Sequence, residues 1–538
     1  MTKQNFFSRT FYCRSIISLI LVILLFLGCI LRIAAINREG YLKASYNTNR
    51  FKMTVSKQRG TIFDCNMIPL TNREKITIAA VSPTPRAITA ISNVLEGDEL
   101  KNVLERLKSR KPVLVEVKEN VKCDGIVCTE VYKLQSADTP AIHILGYTDK
   151  DSKGVSGIQK SYDDLLYSES EVSVYFECDG KGEILEGVPP TVQNDTSVES
   201  CGVVSTIDIN IQTIAENASK YIETGAVVIA DAKTNKIRAC VSRPYFDCTK
   251  TSEYLNKKDS PLFNRAINSY NVGSVFKPCV AAAGIEKGDI GFCYSCSGSC
   301  EIIDRKFKCH KSDGHGEMNL ETAIANSCNT YFYNFAFKIG RNSVYNAASS
   351  LRFGKSLKLC DGIYTSEGSI PKKEKLENIA YLANLSIGQG ELLLSPISIL
   401  TLYSAIASDG RYYVPSIVEG TVQNGSLKRY DNGNQTRVMK STTAKILRNY
   451  LQSVLEEGTG ESAKPKTVSA AGKTATAQTG KYENGVEICQ GWFCGFFPAE
   501  NPRYTVTVFS ENTKRQTKSC SEIFAIIADE VTNYKNLQ

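Results

Sequence analysis

No second long apolar run follows the one near the N-terminus, so the chain is not a many-span membrane protein. Charge is not in excess either. Charged residues make up 22% and apolar residues 42% of 538 positions, a balance that excludes a disordered chain. There is no basic stripe: the net charge is +8 and its Lys and Arg are scattered, which argues against nucleic acid as a partner. A phosphate loop is missing as well. Gly472-Lys473-Thr474 has the ending of one, but the glycine required five residues before Gly472 is replaced by Thr467. Between residues 37 and 205 there is no helical repeat and no catalytic cluster. The chain is nevertheless too long for one ordinary core, so an anchor plus two or more domains is expected.

The one long apolar run extends from Ile16 to Leu31 and weakly on to Ile36, broken only by Ser18 and Arg32. It is long enough to span a bilayer with a snorkelling arginine. Lys3, Arg9 and Arg14 precede it with no acidic residue, which favours a cytoplasmic N-terminus, although Arg38, Lys43, Arg50 and Lys52 follow. A cleaved signal peptide ending near Ala34-Ala35 is the alternative, but the run exceeds the usual ~7–15 residues of a signal core. Phe26-Leu27-Gly28-Cys29 matches a lipoprotein processing site weakly, because Phe26 and Leu27 are bulky. The expected division is a cytoplasmic tail over 1–15, a transmembrane anchor over 16–36, a membrane-proximal domain over 37–205 and a catalytic domain over 206–538.

From Thr206 the pattern becomes regular. Gly225 to Ala230 and Lys236 to Ser242 read as a hairpin around a turn at 231–235. Gly491 to Phe497 and Tyr504 to Phe509 read as two further strands joined through Pro498 and Pro502. Ser521 is the expected cap of a last helix, with Ile523, Phe524, Ile526, Ile527 and Val531 on one side. Helices are expected from Lys277 to Glu286 before Gly288, from Leu320 to Asn326 after Asn319, from Asn329 to Ile339 before Gly340, and from Pro396 to Ser408 before Gly410. Strands at both ends with helices between them imply an α+β domain with an antiparallel sheet flanked by helices.

Three polar clusters stand in order within that domain: Ser274-Val275-Phe276-Lys277, Ser327-Cys328-Asn329 and Lys473-Thr474-Ala475. Ser-x-x-Lys alone carries little, since a chain this long holds about two or three by chance. Its setting carries more: Ser274 follows the turn Tyr270 to Gly273 at a helix start, where free N–H groups favour developing negative charge. Lys277, one turn on, is placed to act as general base if burial keeps its amine neutral. Ser327 and Asn329 have an ordinary reading as a helix cap; in the catalytic one Ser327 relays a proton and Asn329 orients Lys277 and a substrate amide. Lys473 and Thr474 head a strand suited to hold a carboxylate, with the backbone N–H groups of Ser274 and Thr476 as oxyanion donors.

Nineteen cysteines are an odd number and cannot all pair within one chain. Cys293, Cys296, Cys300 and Cys309 lie near His310 and His315, but zinc sites favour two groups of closely spaced pairs and only one such group is present. The spacing therefore favours a loop disulfide such as Cys296 to Cys309, or free thiols, over a metal. His143 and His315 are expected to pack or hydrogen-bond rather than catalyse, and no cofactor is called for.

Ser-x-x-Lys, Ser-x-Asn and Lys-Thr in this order, with Asn264-Arg265-Ala266, His315-Gly316, Gly388-Gln389-Gly390, Ser395-Pro396, Gly458-Thr459-Gly460, Ala475 to Gln478 and Trp492 to Phe496, resemble the class B penicillin-binding proteins. Arg59 to Asp64 and Gly154 to Leu166 resemble that family's membrane-proximal, dimerisation-type domain. The resemblance implies a single-pass peptidoglycan D,D-transpeptidase with an extracytoplasmic catalytic domain, a Ser274 ester intermediate and β-lactams as trapping agents. It also implies partnership with a membrane-embedded glycosyltransferase and other wall-synthesis proteins, in division, elongation or sporulation, and a D,D-carboxypeptidase side activity. Four departures stand out: Ala475 replaces the usual glycine, Val272 a common proline, Cys65 and Met67 interrupt an Asp-Arg-Asn-Gly pattern, and Gln159 replaces a glutamate. The rival readings are a β-lactamase or β-lactam sensor, for which no deacylating group stands out, and a catalytically weak wall scaffold, against which all three clusters argue.

Overall fold

The structure is a computed structural model that describes residues 4–38, 49–194, 201–431 and 435–536. Helix α1, Gln4–Arg38, contains the apolar stretch Tyr12–Ala35, none of it buried within the protein. At 1.5 Å per residue its 24 residues run about 36 Å, long and apolar enough to cross a membrane.

The chain separates into two compact units. One consists of residues 1–57, 75–131 and 170–195; the other of 58–74, 132–169 and 196–538. The second unit thus takes in 58–74 and 132–169, which the sequence pattern grouped with the membrane-proximal domain. In the first unit the strand Glu74–Val81 lies between Val113–Val117 and Ile126–Lys133. The amphipathic helices Pro85–Ser92 and Gly97–Leu107 supply Ala87, Ile91, Val103 and Leu107 to its core.

The second unit is organised by a five-stranded antiparallel sheet: β1 Gly225–Asp231, β2 Ile237–Arg243, β3 Ala471–Glu483, β4 Val486–Phe497 and β5 Tyr504–Ser510, in the spatial order β2-β1-β5-β4-β3. β1 reads Gly-Ala-Val-Val-Ile-Ala-Asp, a continuous run of β-branched and small residues buried on both faces, as a central strand covered on both sides requires. Helix α2, Lys277–Lys287, stops at Gly288, whose φ of +93° is the left-handed conformation that ends helices. Asn319 caps α3, Leu320–Ala325, in a capping box with Thr322, and α4 spans Asn329–Ile339. Helix α5, Pro396–Ala407, is largely apolar and every residue of it is buried, the pattern of a central core helix. This is the α+β arrangement expected from strands at both ends of the domain.

The last helix, α6 Cys520–Lys535, corrects one sequence expectation. Its cap is Ser519, not Ser521: Ser519 accepts from the Glu522 N–H while the Glu522 carboxylate accepts from the Ser519 N–H, and Ser521 is buried inside the first turn. The Ser-x-x-Glu spacing that closes this box begins at Ser519.

The two stretches singled out before Thr206 meet in the second unit. The Arg59 guanidinium donates to Gln159 Oε1 (2.5 Å), the Gln159 carbonyl (2.6 Å) and the Ser152 carbonyl (2.8 Å), and pairs with Asp163 at 2.7 Å. Buried charge-assisted bonds of this kind fix local structure, so Gln159, where the family has a glutamate, keeps the contact as a neutral acceptor.

Helices α2 and α4 cross closely at Gly284, where an added Cβ would fall 2.0 Å from Phe335 Cζ. Gly284→Ala is therefore expected to force Phe335 aside and destabilise the protein by about 1–3 kcal/mol, seen as a lowered thermal midpoint of the full chain in detergent.

Candidate active site

Ser274 does not open the long helix itself. It sits in a tight 3-10 turn, Gly273–Phe276, that feeds directly into α2 at Lys277. The turn is clamped from several sides. Gly273 N–H donates to the Gly388 carbonyl at 2.7 Å, the Tyr403 hydroxyl to the Val275 carbonyl at 2.9 Å, and the Trp492 indole to the Asn271 carbonyl at 2.8 Å. Gly273 has φ +67°, and a Cβ there would lie 3.2 Å from Ala477 Cβ and 3.3 Å from Ala475 Cβ. The turn and strand β3 approach at a distance that leaves no room for a relaxed side chain at Gly273. Ser274 is half-buried, and its hydroxyl makes no hydrogen bond among the described residues.

Lys277 is fully buried. Its Nζ contacts the Ser327 carbonyl at 2.5 Å, Asn329 Oδ1 at 2.8 Å and Ser327 Oγ at 3.1 Å, and lies 5.3 Å from the centre of the Phe332 ring. Burial pulls the amine down to about 7, against a smaller opposing pull from Cys328 and Cys309. A neutral amine has two N–H groups, which suit the two pure acceptors, the Ser327 carbonyl and Asn329 Oδ1. Its lone pair is then left to take a proton from a hydroxyl. Ser327 has φ +55°, a left-handed conformation that costs a non-glycine residue about 1–2 kcal/mol. That conformation lets both its carbonyl and its hydroxyl reach Lys277.

Lys473 is also fully buried, standing opposite Cys494 in the β3–β4 ladder. Its Nζ approaches Thr459 Oγ1 (3.3 Å), the Thr474 carbonyl (3.3 Å) and Thr474 Oγ1 (3.4 Å). Burial first, and the neighbouring charge of Lys277 second, hold it well below the ordinary amine range. Among the described residues neither lysine has a carboxylate partner within ion-pair distance. A site with two buried amines and no carboxylate favours an incoming anion.

Along β3 the side chains alternate. Thr476 and Gln478 are exposed and Thr474 is half-exposed, while Lys473, Ala475 and Ala477 are buried. Ala475 therefore turns its methyl beneath the strand, toward Gly273 and away from the exposed edge. Beyond that edge opens a cleft of about 960 Å³ lined by Asn271, Tyr270, Thr479, Lys481 and Glu511; Ser274 is not part of its lining.

The structure thus brings Lys277, Ser327 and Asn329 into one hydrogen-bonded group and Lys473 and Thr474 into another. Thr476 lies on the exposed side of β3 beside the Ser274 turn. Thr459 is the site residue that spacing did not single out: its hydroxyl is 3.0 Å from Thr474 Oγ1 as well as touching Lys473. The only sequence signal for it was the Gly458-Thr459-Gly460 stretch, since the contact depends on a turn 14 residues before Lys473. His143 packs as expected: burial lowers it to about 4, its Nε2 is 2.7 Å from the Pro261 carbonyl and its ring meets Phe246 edge-on. Of the two alternatives, a loop disulfide such as Cys296 to Cys309 or free thiols, the structure has the second: all nineteen cysteines are free thiols.

A family model for the penicillin-binding protein transpeptidase domain matches residues 225–531, more than half of the chain. The chain belongs to the penicillin-binding protein transpeptidase family. Within it, the protein is of the class B kind, a transpeptidase domain preceded by a separate N-terminal portion. Stage V sporulation protein D of Bacillus subtilis is 28% identical over 496 residues, covering 85% of this chain and 74% of that protein. The peptidoglycan D,D-transpeptidase MrdA of Acinetobacter baumannii is 26% identical over 600 residues, covering 95% and 85%. Penicillin-binding protein 3 of Mycobacterium tuberculosis, solved with aztreonam, shares the fold with a TM-score of 0.65 at 22% identity, covering 90% of this chain and 98% of that one. In this family setting the Lys277, Ser327 and Asn329 side chains of the present penicillin-binding protein form one hydrogen-bonded group.

Thr459→Val removes the hydroxyl that touches both Lys473 and Thr474. The loss of one hydrogen bond of about 1.4 kcal/mol should raise the half-saturating concentration of a carboxylate-bearing penicillin about tenfold, with the maximal acylation rate nearly unchanged in stopped-flow measurements.

Proposed function

We propose that this chain is a peptidoglycan D,D-transpeptidase that works through an ester on Ser274. The observation that carries the reading is the buried, depressed amine of Lys277, held by Ser327 and Asn329 one turn from an unengaged serine hydroxyl. Lys277 Nζ takes the Ser274 proton as Oγ bonds to the carbonyl carbon of the penultimate D-Ala. The backbone N–H groups of Ser274 and Thr476 receive the resulting oxyanion, while Lys473 and Thr474 bind the terminal carboxylate. Ser327 passes the proton to the leaving D-Ala nitrogen as the C–N bond breaks, and Asn329 keeps Lys277 and the substrate amide aligned. An amine from a second stem peptide then attacks the ester and restores Ser274. Water in place of that amine gives the D,D-carboxypeptidase side reaction.

The relatives' names support peptidoglycan as substrate, and the aztreonam complex of a structural neighbour supports β-lactams as trapping agents. A penicillin carries a carboxylate beside a ring amide that takes the place of the scissile amide, and aztreonam carries a sulfonate in the carboxylate's position. Lys3, Arg9 and Arg14, ahead of the apolar run that begins at Ile16, support a cytoplasmic residue 1–15 tail and an extracytoplasmic catalytic domain. A membrane-embedded glycosyltransferase that supplies the glycan strands is the corresponding partner.

The test is labelling of the full chain in detergent with fluorescent penicillin, beside Ser274→Ala, followed by an assay with a D-Ala-D-Ala stem peptide and an acceptor amine. A long-lived, Ser274-dependent adduct and an amide-linked product are expected. An adduct that survives Ser274→Ala contradicts the ester; rapid turnover of the drug with no amide product points instead to a β-lactamase.

A further inference from the structure

The cleft of about 960 Å³ beyond the end of β3 plays no part in the steps written above. It has the size of a small-molecule site and belongs wholly to the catalytic unit. Two of its walls continue the active site: Asn271 lies three residues before Ser274, and Thr479 three residues after Thr476. Asn271 Nδ2 also donates to the Gln478 carbonyl at 3.1 Å, which ties the serine turn to the strand at the entrance to the cleft. The end of β3 is shaped to face this space. Up to Gln478, paired with Cys489, the ladder is regular; the next pair is Tyr482 with Glu487, so three residues of β3 stand against Ile488 alone. A bulge of this kind re-aims side chains. Thr479 Oγ1 holds it by donating to the Ile488 carbonyl at 2.6 Å, and Gly480 takes φ +67° within it. Lys481, Tyr482 and Glu483 consequently all line the cleft, where a regular strand would send alternate residues to opposite faces.

The polar groups of the cleft are unevenly satisfied. Its two guanidinium groups are engaged: Arg265 pairs with Glu511 at 2.8 Å and donates to the Asp259 and Ser260 carbonyls, and Arg515 pairs with Glu483 at 2.6 Å. Lys258 and Lys481 are exposed, on the solvent side. What is left inside is oxygen. Gln490 Oε1 is buried with no hydrogen-bond partner among the described residues, and the Tyr270 hydroxyl is buried beside the Glu511 carboxylate. A buried acceptor without a donor carries a desolvation cost that an incoming donor relieves. An ammonium group, with three N–H donors and no acceptor, is the complement of these oxygens.

A donor peptide with its terminal carboxylate at Lys473 and Thr474 and its scissile carbonyl at Thr476 runs antiparallel to β3, each earlier residue lying ~3.3 Å further along the strand. The residue before D-Ala-D-Ala then falls beside Gln478, at the entrance to the cleft. Its chemistry follows from the reaction. Cross-linking consumes an amine on a stem peptide, and donor and acceptor are the same peptide before the bond forms, so the donor carries that amine too. We infer that the cleft is the subsite for the amine-bearing residue that precedes D-Ala-D-Ala in the donor, with Gln490 Oε1 and the Glu511 carboxylate receiving its ammonium. The inference rests on the Ser274 ester reading and extends it to substrate selection. An amine held here is kept away from its own ester, which is left to the amine of the second peptide.

The test uses the full chain in detergent and two penicillins that differ only in the acyl group on the amino nitrogen of the nucleus, aminohexanoyl in one and heptanoyl in the other, so that a terminal ammonium replaces a methyl. That acyl group leaves the nucleus where the preceding residues leave D-Ala-D-Ala. The second-order rate of Ser274 acylation is expected to be about tenfold higher for the amine-bearing compound, and Gln490→Leu and Glu511→Gln are each expected to bring the ratio to within about twofold. Glu511 also pairs with Arg265, so its variant can lose structure; Gln490 Oε1 has no such partner among the described residues, and the wild-type ratio stands by itself. Equal rates for the two compounds in wild type, or a preference that survives both substitutions, would overturn the subsite while leaving the ester intact. Absence of a Ser274 adduct with either compound would instead overturn the ester reading, and the subsite with it.

Discussion

Two lysine amines buried without a carboxylate partner are the constraint around which the catalytic unit is arranged. Removing an ammonium from water costs several kcal/mol, and the charge of Lys277 raises that cost for Lys473. The fold offers neither of them a counter-charge. It offers oxygen dipoles: a carbonyl, a hydroxyl and an amide oxygen to Lys277, two hydroxyls and a carbonyl to Lys473. Proton loss from Lys277 and capture of an anion near Lys473 relieve the same stress, and these are the two operations an acyl transfer from a C-terminal peptide requires.

The rest of the unit holds that arrangement against relaxation. Lys473 is fixed by the long β3–β4 ladder, and Lys277 by a helix packed on α4 through Gly284 and Phe335. The Ser274 turn is seated on β3 through Gly273, which has no Cβ. This explains why Ala475, where the family has glycine, is accommodated: its methyl occupies space on the buried side that Gly273 leaves open. Ser327 keeps its left-handed backbone because its neighbours on both sides are anchored. Ala323 accepts the Cys328 N–H, and Thr322 accepts the Asn326 N–H.

Much of this was legible in the sequence because it is local. A Ser and a Lys three apart at a helix entry, the Gly288 and Gly340 stops and the β-branched run at Gly225–Asp231 follow from spacing and backbone preference alone. What was not legible depends on closure between distant segments. Thr459 reaches Lys473 only through the path of the loop before β3, and Cys328 joins Cys296, Cys309 and His315 only once two hairpins fold back on α4. The residues of 58–74 and 132–169 carry polar, mixed sequence and show their attachment to the second unit through contacts such as the Ala141 N–H with the Glu216 carboxylate and His143 with the Pro261 carbonyl. Ser519 was readable from the Ser-x-x-Glu spacing to Glu522.

The most direct test of the account is the pH dependence of Ser274 acylation by a penicillin under saturating conditions, because it reports the protonation state of Lys277 in the intact site. Burial favours the neutral amine, so the rate should rise as Lys277 loses its proton, reach half its maximum near the value of about 7 and stay level above it. A rate that is level from about pH 5 to 9, or one that keeps rising toward the ordinary lysine range of about 10.4, would contradict the claim that a buried neutral Lys277 activates the serine.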